Sequence, residues 1–227
     1  FQTCTRPDLS FATNMLSRYA SNPSPEHLVY ANHVLRYLKG TAHFGITYHG
    51  DQNVSKCKGH DTTNKVIGTV DSDLGGCHDS ERSTTGLVLM LNGGPIVWRS
   101  SRQSTASTAT AEAEVKAAGM ISQELIDVVN LLGEFGFIQP PVRVLEDNAA
   151  TVLLSRGTKQ SGKSGHFRRM VSYIEGLTNK INFGLILHRV KKIRAICLPN
   201  LLPHLNSLLN SVISFEERLR SCTSPIL

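Results

Sequence analysis

The spacing of apolar positions changes along this chain, and the change outlines its organisation. Residues 1–50 read as helices followed by a short strand. Asp8 or Ser10 is placed to cap a helix carrying Phe11, Met15, Leu16 and Tyr19, and Asn22-Pro23-Ser24-Pro25 breaks it. Pro25 suits the first turn of a second helix, where Glu26 complements the dipole. Leu28, Ala31, Val34, Leu35 and Leu38 form its apolar stripe, and Lys39-Gly40 ends it. Gly45 to Tyr48 reads as a short strand. Residues 51–64 are polar, show no clear element and read as a linker.

From Lys65 the pattern turns to strands. Lys65–Val70 predicts one strand that delivers Asp71 at its end. Thr85–Leu91 and Pro95–Arg99 predict two more, joined by Asn92-Gly93-Gly94, and Asn-Gly between apolar runs is a strong hairpin signal. A Ser/Thr-rich loop leads to a long helix, Thr110–Leu132, with Ala111, Val115, Ala118, Leu125, Val129 and Leu132 on one stripe. A buried-type strand at Val142–Leu145, helices at Asn148–Leu154 and His166–Asn179, and a strand at Phe183–Val190 complete the pattern. Three antiparallel strands followed by helix-crossed strands describe an α/β mixed sheet with flanking helices. Residues 191–227 are rich in Leu and Ser, Pro199 and Pro203 interrupt any helix there, and they predict no fold.

At 227 residues and 40% hydrophobic, the chain holds enough for one good core. No run reaches the roughly 20 apolar residues of a membrane helix. The first residue is not Met, so the sequence is expected to be part of a larger product. The net charge of +6 permits a polyanionic partner, and the basic residues concentrate between Lys159 and Arg194. Five scattered cysteines without a Cys-x-x-Cys pair argue against zinc and suit reduced thiols in an intracellular setting, cytoplasmic or nuclear.

Three acidic motifs carry the candidate chemistry. Asp71 follows an apolar strand, where an Asx turn is the ordinary use of such a residue. Glu112 and Glu114 open the long helix, where carboxylates offset the dipole. Glu114 flanks the buried stripe, whereas Glu112, two residues away, faces elsewhere. Asp147 ends a strand, where open sheets present ligands, and Asn148 can cap the helix that follows. Two strand ends and a helix start can bring three carboxylates together to hold divalent cations, and hard oxygen ligands select Mg or Mn.

In this order the motifs resemble a family. Asp71-Ser72-Asp73-Leu74-Gly75-Gly76, Ser83-Thr84-Thr85-Gly86, Pro95-Ile96-Val97-Trp98, Ser101-Arg102-Gln103, Ala111-Glu112-Ala113-Glu114, Glu146-Asp147-Asn148-Ala149-Ala150 and Ser161 to Met170 look like the ribonuclease H domain of copia-type retrotransposon Pol polyproteins. Arg6-Pro7-Asp8-Leu9-Ser10, Leu16-Ser17-Arg18-Tyr19 and Leu35 to Thr41 resemble the end of the reverse transcriptase and its connection. The resemblance covers about residues 5–190. It implies a reverse transcriptase/connection segment over 1–50, and a ribonuclease H-like domain with a five-stranded mixed sheet over 65–190. The implied reaction is cleavage of the RNA strand of RNA/DNA hybrids by four carboxylates and two Mg ions, Mn being possible. It assigns Asp71, Glu114 and Asp147 as catalytic metal ligands and drops Asp73 and Glu112. His166, Arg168 and Arg169 become candidates for contacts to the hybrid, with a solvated helix face as the other use of them. The implied partners are the hybrid and the rest of the polyprotein, reverse transcriptase and integrase, with no membrane.

This chain departs from the family pattern at Leu74, Val115 and Gly165 and, above all, at the fourth carboxylate. No Asp follows Asp147, and beyond Glu175 the only acidic residues are Glu216 and Glu217. The codons of Ala195 to Pro203, read from the third base of each, can spell the missing Asp and a Lys-Pro after it. A frameshift shortly before Ala195 would leave residues from about 191 out of frame. The expectation is therefore a hybrid-cleaving activity that is impaired in this copy, with a non-catalytic nucleic-acid-binding remnant or a pseudogene product as the alternatives.

Overall fold

The computed structural model describes residues 3–48, 56–57, 60–61, 64–74, 81–107, 109–155, 165–180 and 183–187. They fall into two compact units that meet in sequence at Ile46 and Thr47. Among the described residues, no helix is long and apolar enough to cross a membrane. The tail 191–227, and with it the segment of the suspected frameshift, lies outside the described residues.

The first unit holds a 3-10 turn, Pro7–Leu9, and two helices, α1 (Ser10–Ser17) and α2 (Pro25–Gly40). Leu9, Ala12, Met15 and Val34 form its small core, with Phe11, Leu16, Tyr37 and Leu38 packed against it. Neither Asp8 nor Ser10 caps α1, contrary to the sequence expectation. Asp8 is buried instead in a forked pair with Arg6, at 3.0 and 2.7 Å. The same guanidinium reaches the Thr41 carbonyl and hydroxyl at 3.2 and 2.7 Å, so one side chain ties the chain start to the end of α2. The expected stripe on α2 is only half buried. Val34 is in the core, whereas Leu28 and Leu35 are exposed, because the short α1 covers only part of the helix. Tyr19 lies beyond the end of α1.

Gly45–Tyr48 forms no strand; it runs in an irregular segment, and the Tyr48 hydroxyl donates to the Pro95 carbonyl at 2.8 Å. The polar stretch read as elementless contains a two-residue antiparallel ladder, β1 (Lys56–Cys57) with β2 (His60–Asp61).

The second unit is built on five strands: β3 (Ile67–Asp73), β4 (Thr84–Leu91), β5 (Gly94–Arg102), β6 (Val142–Glu146) and β7 (Phe183–Leu187). Their order is β5-β4-β3-β6-β7. The pairs β3–β4 and β4–β5 are antiparallel, whereas β3–β6 and β6–β7 are parallel. This is the expected five-stranded mixed sheet with flanking helices. The β4–β5 hairpin closes on Asn92-Gly93, both at positive φ (50° and 80°), as a tight primed turn requires. Helices α3 (Thr110–Glu134), α4 (Ala149–Ser155) and α5 (Gly165–Lys180) complete the unit. Val66, Val70, Leu87, Leu89, Val142 and Val144 from the sheet side meet Val115, Ala118, Ile121 and Leu125 of α3, with Ile174 of α5. Burying a side chain such as Leu89 or Ile121 contributes about 1.5–3 kcal/mol. The approach is close: a Cβ on Gly68 would stand 2.7 Å from Val144 Cγ2 and 3.0 Å from Ile121 Cδ1. Glycine at 68 is therefore what lets α3 sit down on the sheet beside the strand that carries Asp71.

Candidate metal centre

Each carboxylate arrives by a different local rule. Asp71 lies inside β3, not at its end as the sequence reading had it, because β3 runs on to Asp73 in register with β4. Asp71 stands opposite Gly86 and Ser72 opposite Thr85. Glu114 sits in the first turns of α3 between Ala113 and Val115, both buried, and is itself buried. Asp147 follows directly on β6 and is exposed. The Asn148 side chain accepts the Ala150 and Thr151 amides at 2.9 and 3.3 Å, so it caps α4 and terminates the loop that presents Asp147.

These three residues converge. One carboxylate oxygen from each of Asp71, Glu114 and Asp147 lies within 4.8 Å of the other two. Glu112 turns away, pairs with Lys116 at 3.1 Å and stays outside the group, as the helical angle predicts. Asp73 is exposed and also outside it.

Burial and like charge make the group electrostatically costly. Burial pushes the Glu114 carboxyl up to about 8, reinforced by the charge of Asp71. A further buried acid, Glu146, adjoins the group. Burial pushes its carboxyl up to about 9, with the charge of Glu114 as the next cause. Glu146 Oε1 accepts the Asn148 amide at 3.1 Å. Among the described residues, Glu146 Oε2 and Glu114 Oε2 are buried with no hydrogen-bond partner. Ionised carboxylates in such positions cost several kcal/mol each unless a cation meets them. A hard, all-oxygen donor set with buried unsatisfied oxygens fits a divalent cation of the Mg or Mn type.

Glu146 belongs to the third acidic motif, and the sequence pattern assigns it no role. The signal was present: Val142, Val144 and Glu146 alternate along β6, and all three are buried. Of the candidates for polyanion contact, Arg168 and Arg169 are exposed on α5, with Arg169 Nε donating to the Gly165 carbonyl at 3.3 Å. They belong to a different element from the carboxylates. The side chain of His166 lies outside the described residues.

Comparison with known proteins gives related sequences but no matching family model. The chain is 31% identical over 163 residues to the Retrovirus-related Pol polyprotein from transposon TNT 1-94 of Nicotiana tabacum, covering 72% of this chain and 11% of that protein. It is 37% identical over 122 residues to Secreted RxLR effector protein 161 of Plasmopara viticola, covering 54% of this chain and 79% of the effector. Among solved structures, a ribonuclease H1 isolated from compost by a metagenomic approach is similar at 16% identity and a TM-score of 0.46. That likeness covers 66% of this chain and 99% of the other. The chain thus spans about a tenth of the length of the Pol polyprotein that it matches.

Proposed function

Because this chain belongs to the copia-type retrotransposon Pol polyproteins, we propose that Asp71, Glu114 and Asp147 are the ligands of a divalent-metal site for ribonuclease H-type cleavage of the RNA strand in RNA/DNA hybrids. The observation that carries the reading is the convergence of one carboxylate oxygen from each of the three residues to within 4.8 Å of the other two, with Glu114 buried. In this reading the buried Glu114, Asp71 of β3 and the exposed Asp147 after β6 would hold the cation. Cations of the Mg or Mn type, when bound, supply Lewis-acid stabilisation of the charge that develops on a phosphodiester. Arg168 and Arg169, with His166, contact the phosphates of the hybrid. Residues 1–50 are the reverse transcriptase/connection segment, and the remainder of the polyprotein is the natural partner.

The intact family has a fourth carboxylate that this sequence does not match, so at least one cation position is weakened and cleavage is slow or lost. The same absence supports a second reading, a remnant that binds hybrid without cutting it. Both are tested by incubating the purified chain with a labelled RNA/DNA hybrid in Mg²⁺ or Mn²⁺. The expected result is salt-sensitive hybrid binding with weak metal-dependent loss of the RNA strand, abolished by Asp147→Asn. Binding without cleavage selects the second reading, and robust cleavage refutes the impairment. Failure to bind hybrid or cation at all refutes both readings.

A further inference from the structure

Two of the sequence motifs have no place among the carboxylates: Ser83-Thr84-Thr85-Gly86 and Ser101-Arg102-Gln103. They meet at a single buried amide. Gln103 follows the last residue of β5 and is 5% exposed. Its backbone N–H donates to the Ser83 carbonyl at 2.8 Å. Its side-chain Nε2 donates to Thr85 Oγ1 at 3.0 Å and to the Ala113 carbonyl at 2.9 Å. Its Oε1 accepts the Ser107 hydroxyl at 3.2 Å, and Ser107 Oγ in turn accepts from Lys116 Nζ at 2.9 Å. A carbonyl only accepts, so the contact with Ala113 fixes which end of the amide faces the helix. Both donors and the acceptor of the side chain are then used.

The position of these partners gives the node its meaning. Ala113 immediately precedes Glu114 on α3. Thr85 stands opposite Ser72 in the β3–β4 ladder, one residue from Asp71. Gln103 therefore joins the helical turn that carries one carboxylate to the strand pair that carries another. The N-cap of α3 is Ala109, which makes no side-chain cap bond. Gln103 holds the first turn of α3 from the side, at the Ala113 carbonyl. Lys116 adds a second tie, binding the loop through Thr105 Oγ1 and the Ala106 carbonyl at 3.0 and 3.2 Å.

We propose that Gln103 is a positioning residue for the metal centre: it sets the seating of the first turn of α3 on the β3–β4 ladder, and thereby the reach of Glu114 toward Asp71 and Asp147. This rests on the reading of the three carboxylates as a cation site. Outer partners that orient metal ligands commonly contribute 10- to 100-fold in affinity. The Gln103 amide acts on the backbone of the ligand's neighbour, so the lower end of that range applies.

The test uses the full chain and Mn²⁺, with free Mn²⁺ followed by electron paramagnetic resonance well below the melting temperature. Wild type is expected to bind, and Asp147→Asn gives the loss expected when a carboxylate is removed. Gln103→Met keeps the volume and deletes the amide. With helix content unchanged by circular dichroism, it is expected to bind Mn²⁺ roughly 10-fold more weakly. A purely structural glutamine would lower the melting temperature and leave the affinity as in wild type, and that outcome overturns the proposal. Should Gln103→Met fail to fold, Thr85→Val and Ser107→Ala decide. Each leaves Gln103 in place and removes one of its partners; a several-fold weakening supports the proposal, and unchanged affinity in both overturns it. If wild type binds no Mn²⁺ while folded, the cation-site reading falls and this proposal falls with it. If wild type binds and Asp147→Asn does not, an unaffected Gln103→Met overturns the role of Gln103 alone.

Discussion

Replacing Glu146 by Gln removes a buried ionisable group at the edge of the carboxylate cluster while leaving an oxygen to accept the Asn148 amide. The folded chain holds the Glu146 proton up to about pH 9 and the Glu114 proton up to about pH 8. The unfolded chain releases both near the ordinary glutamate value of about 4.3. Between those limits the native state binds more protons than the unfolded state, so stability falls as pH rises. The slope is about 1.4 kcal/mol per pH unit for each proton held. From pH 5 to pH 7.5 one such group removes about 3 kcal/mol, a large share of a typical net stability of about 5–15 kcal/mol. The metal-free protein is therefore expected to be most stable near pH 5 and to weaken steadily toward pH 8. In Glu146→Gln the slope should be shallower by up to one proton, and the variant should be more stable than wild type at pH 7.5. Urea denaturation monitored by circular dichroism at half-unit pH steps, with chelator present, measures both chains. Titrations remote from the cluster are common to the two and cancel in the difference, whereas that of Glu114, coupled to Glu146 by charge, also shifts. Equal slopes, or a Glu146→Gln chain less stable than wild type at pH 7.5, would refute the assignment of a buried protonated carboxyl to this position.

Three further outcomes follow from other parts of the structure. Gly68→Ala forces a methyl to within 2.7 Å of Val144 Cγ2 and should cost about 1–3 kcal/mol in urea denaturation, since both neighbours belong to the core. Arg6→Met leaves the buried Asp8 carboxylate without its forked partner and should destabilise the first unit by about 3–5 kcal/mol, read as earlier proteolysis within residues 3–46. Genomic sequence across the codons for residues 188–205 should encode, in another frame, an Asp followed by Lys-Pro; no such frame would refute the frameshift and leave the missing fourth carboxylate unexplained.

The sequence alone determined what depends on near neighbours. The two-residue strand period and the 3.6-residue helical period outlined the sheet and α3. Asn92-Gly93 announced its turn, because few other pairs tolerate two successive positive φ values. The helical angle between Glu112 and Glu114 separated the surface acid from the buried one. Local pattern failed where distant segments decide. Asp8 looks like a helix cap, but its carboxylate pairs with Arg6, whose guanidinium is held in turn by the distant Thr41. Leu28 and Leu35 look like core but are exposed, because among the described residues of their unit only the short α1 packs against α2. Gly45–Tyr48 has strand composition and, among the described residues, no ladder to join. At the centre itself, the three acidic motifs are legible in the sequence. Their approach to within 4.8 Å, the burial of Glu146 beside them and the seating of α3 by Gln103 came only from the register of strands and helices far apart in the chain. A carboxyl's affinity for a proton or a cation is set by desolvation and by the charges around it, and neither exists until the tertiary structure has formed.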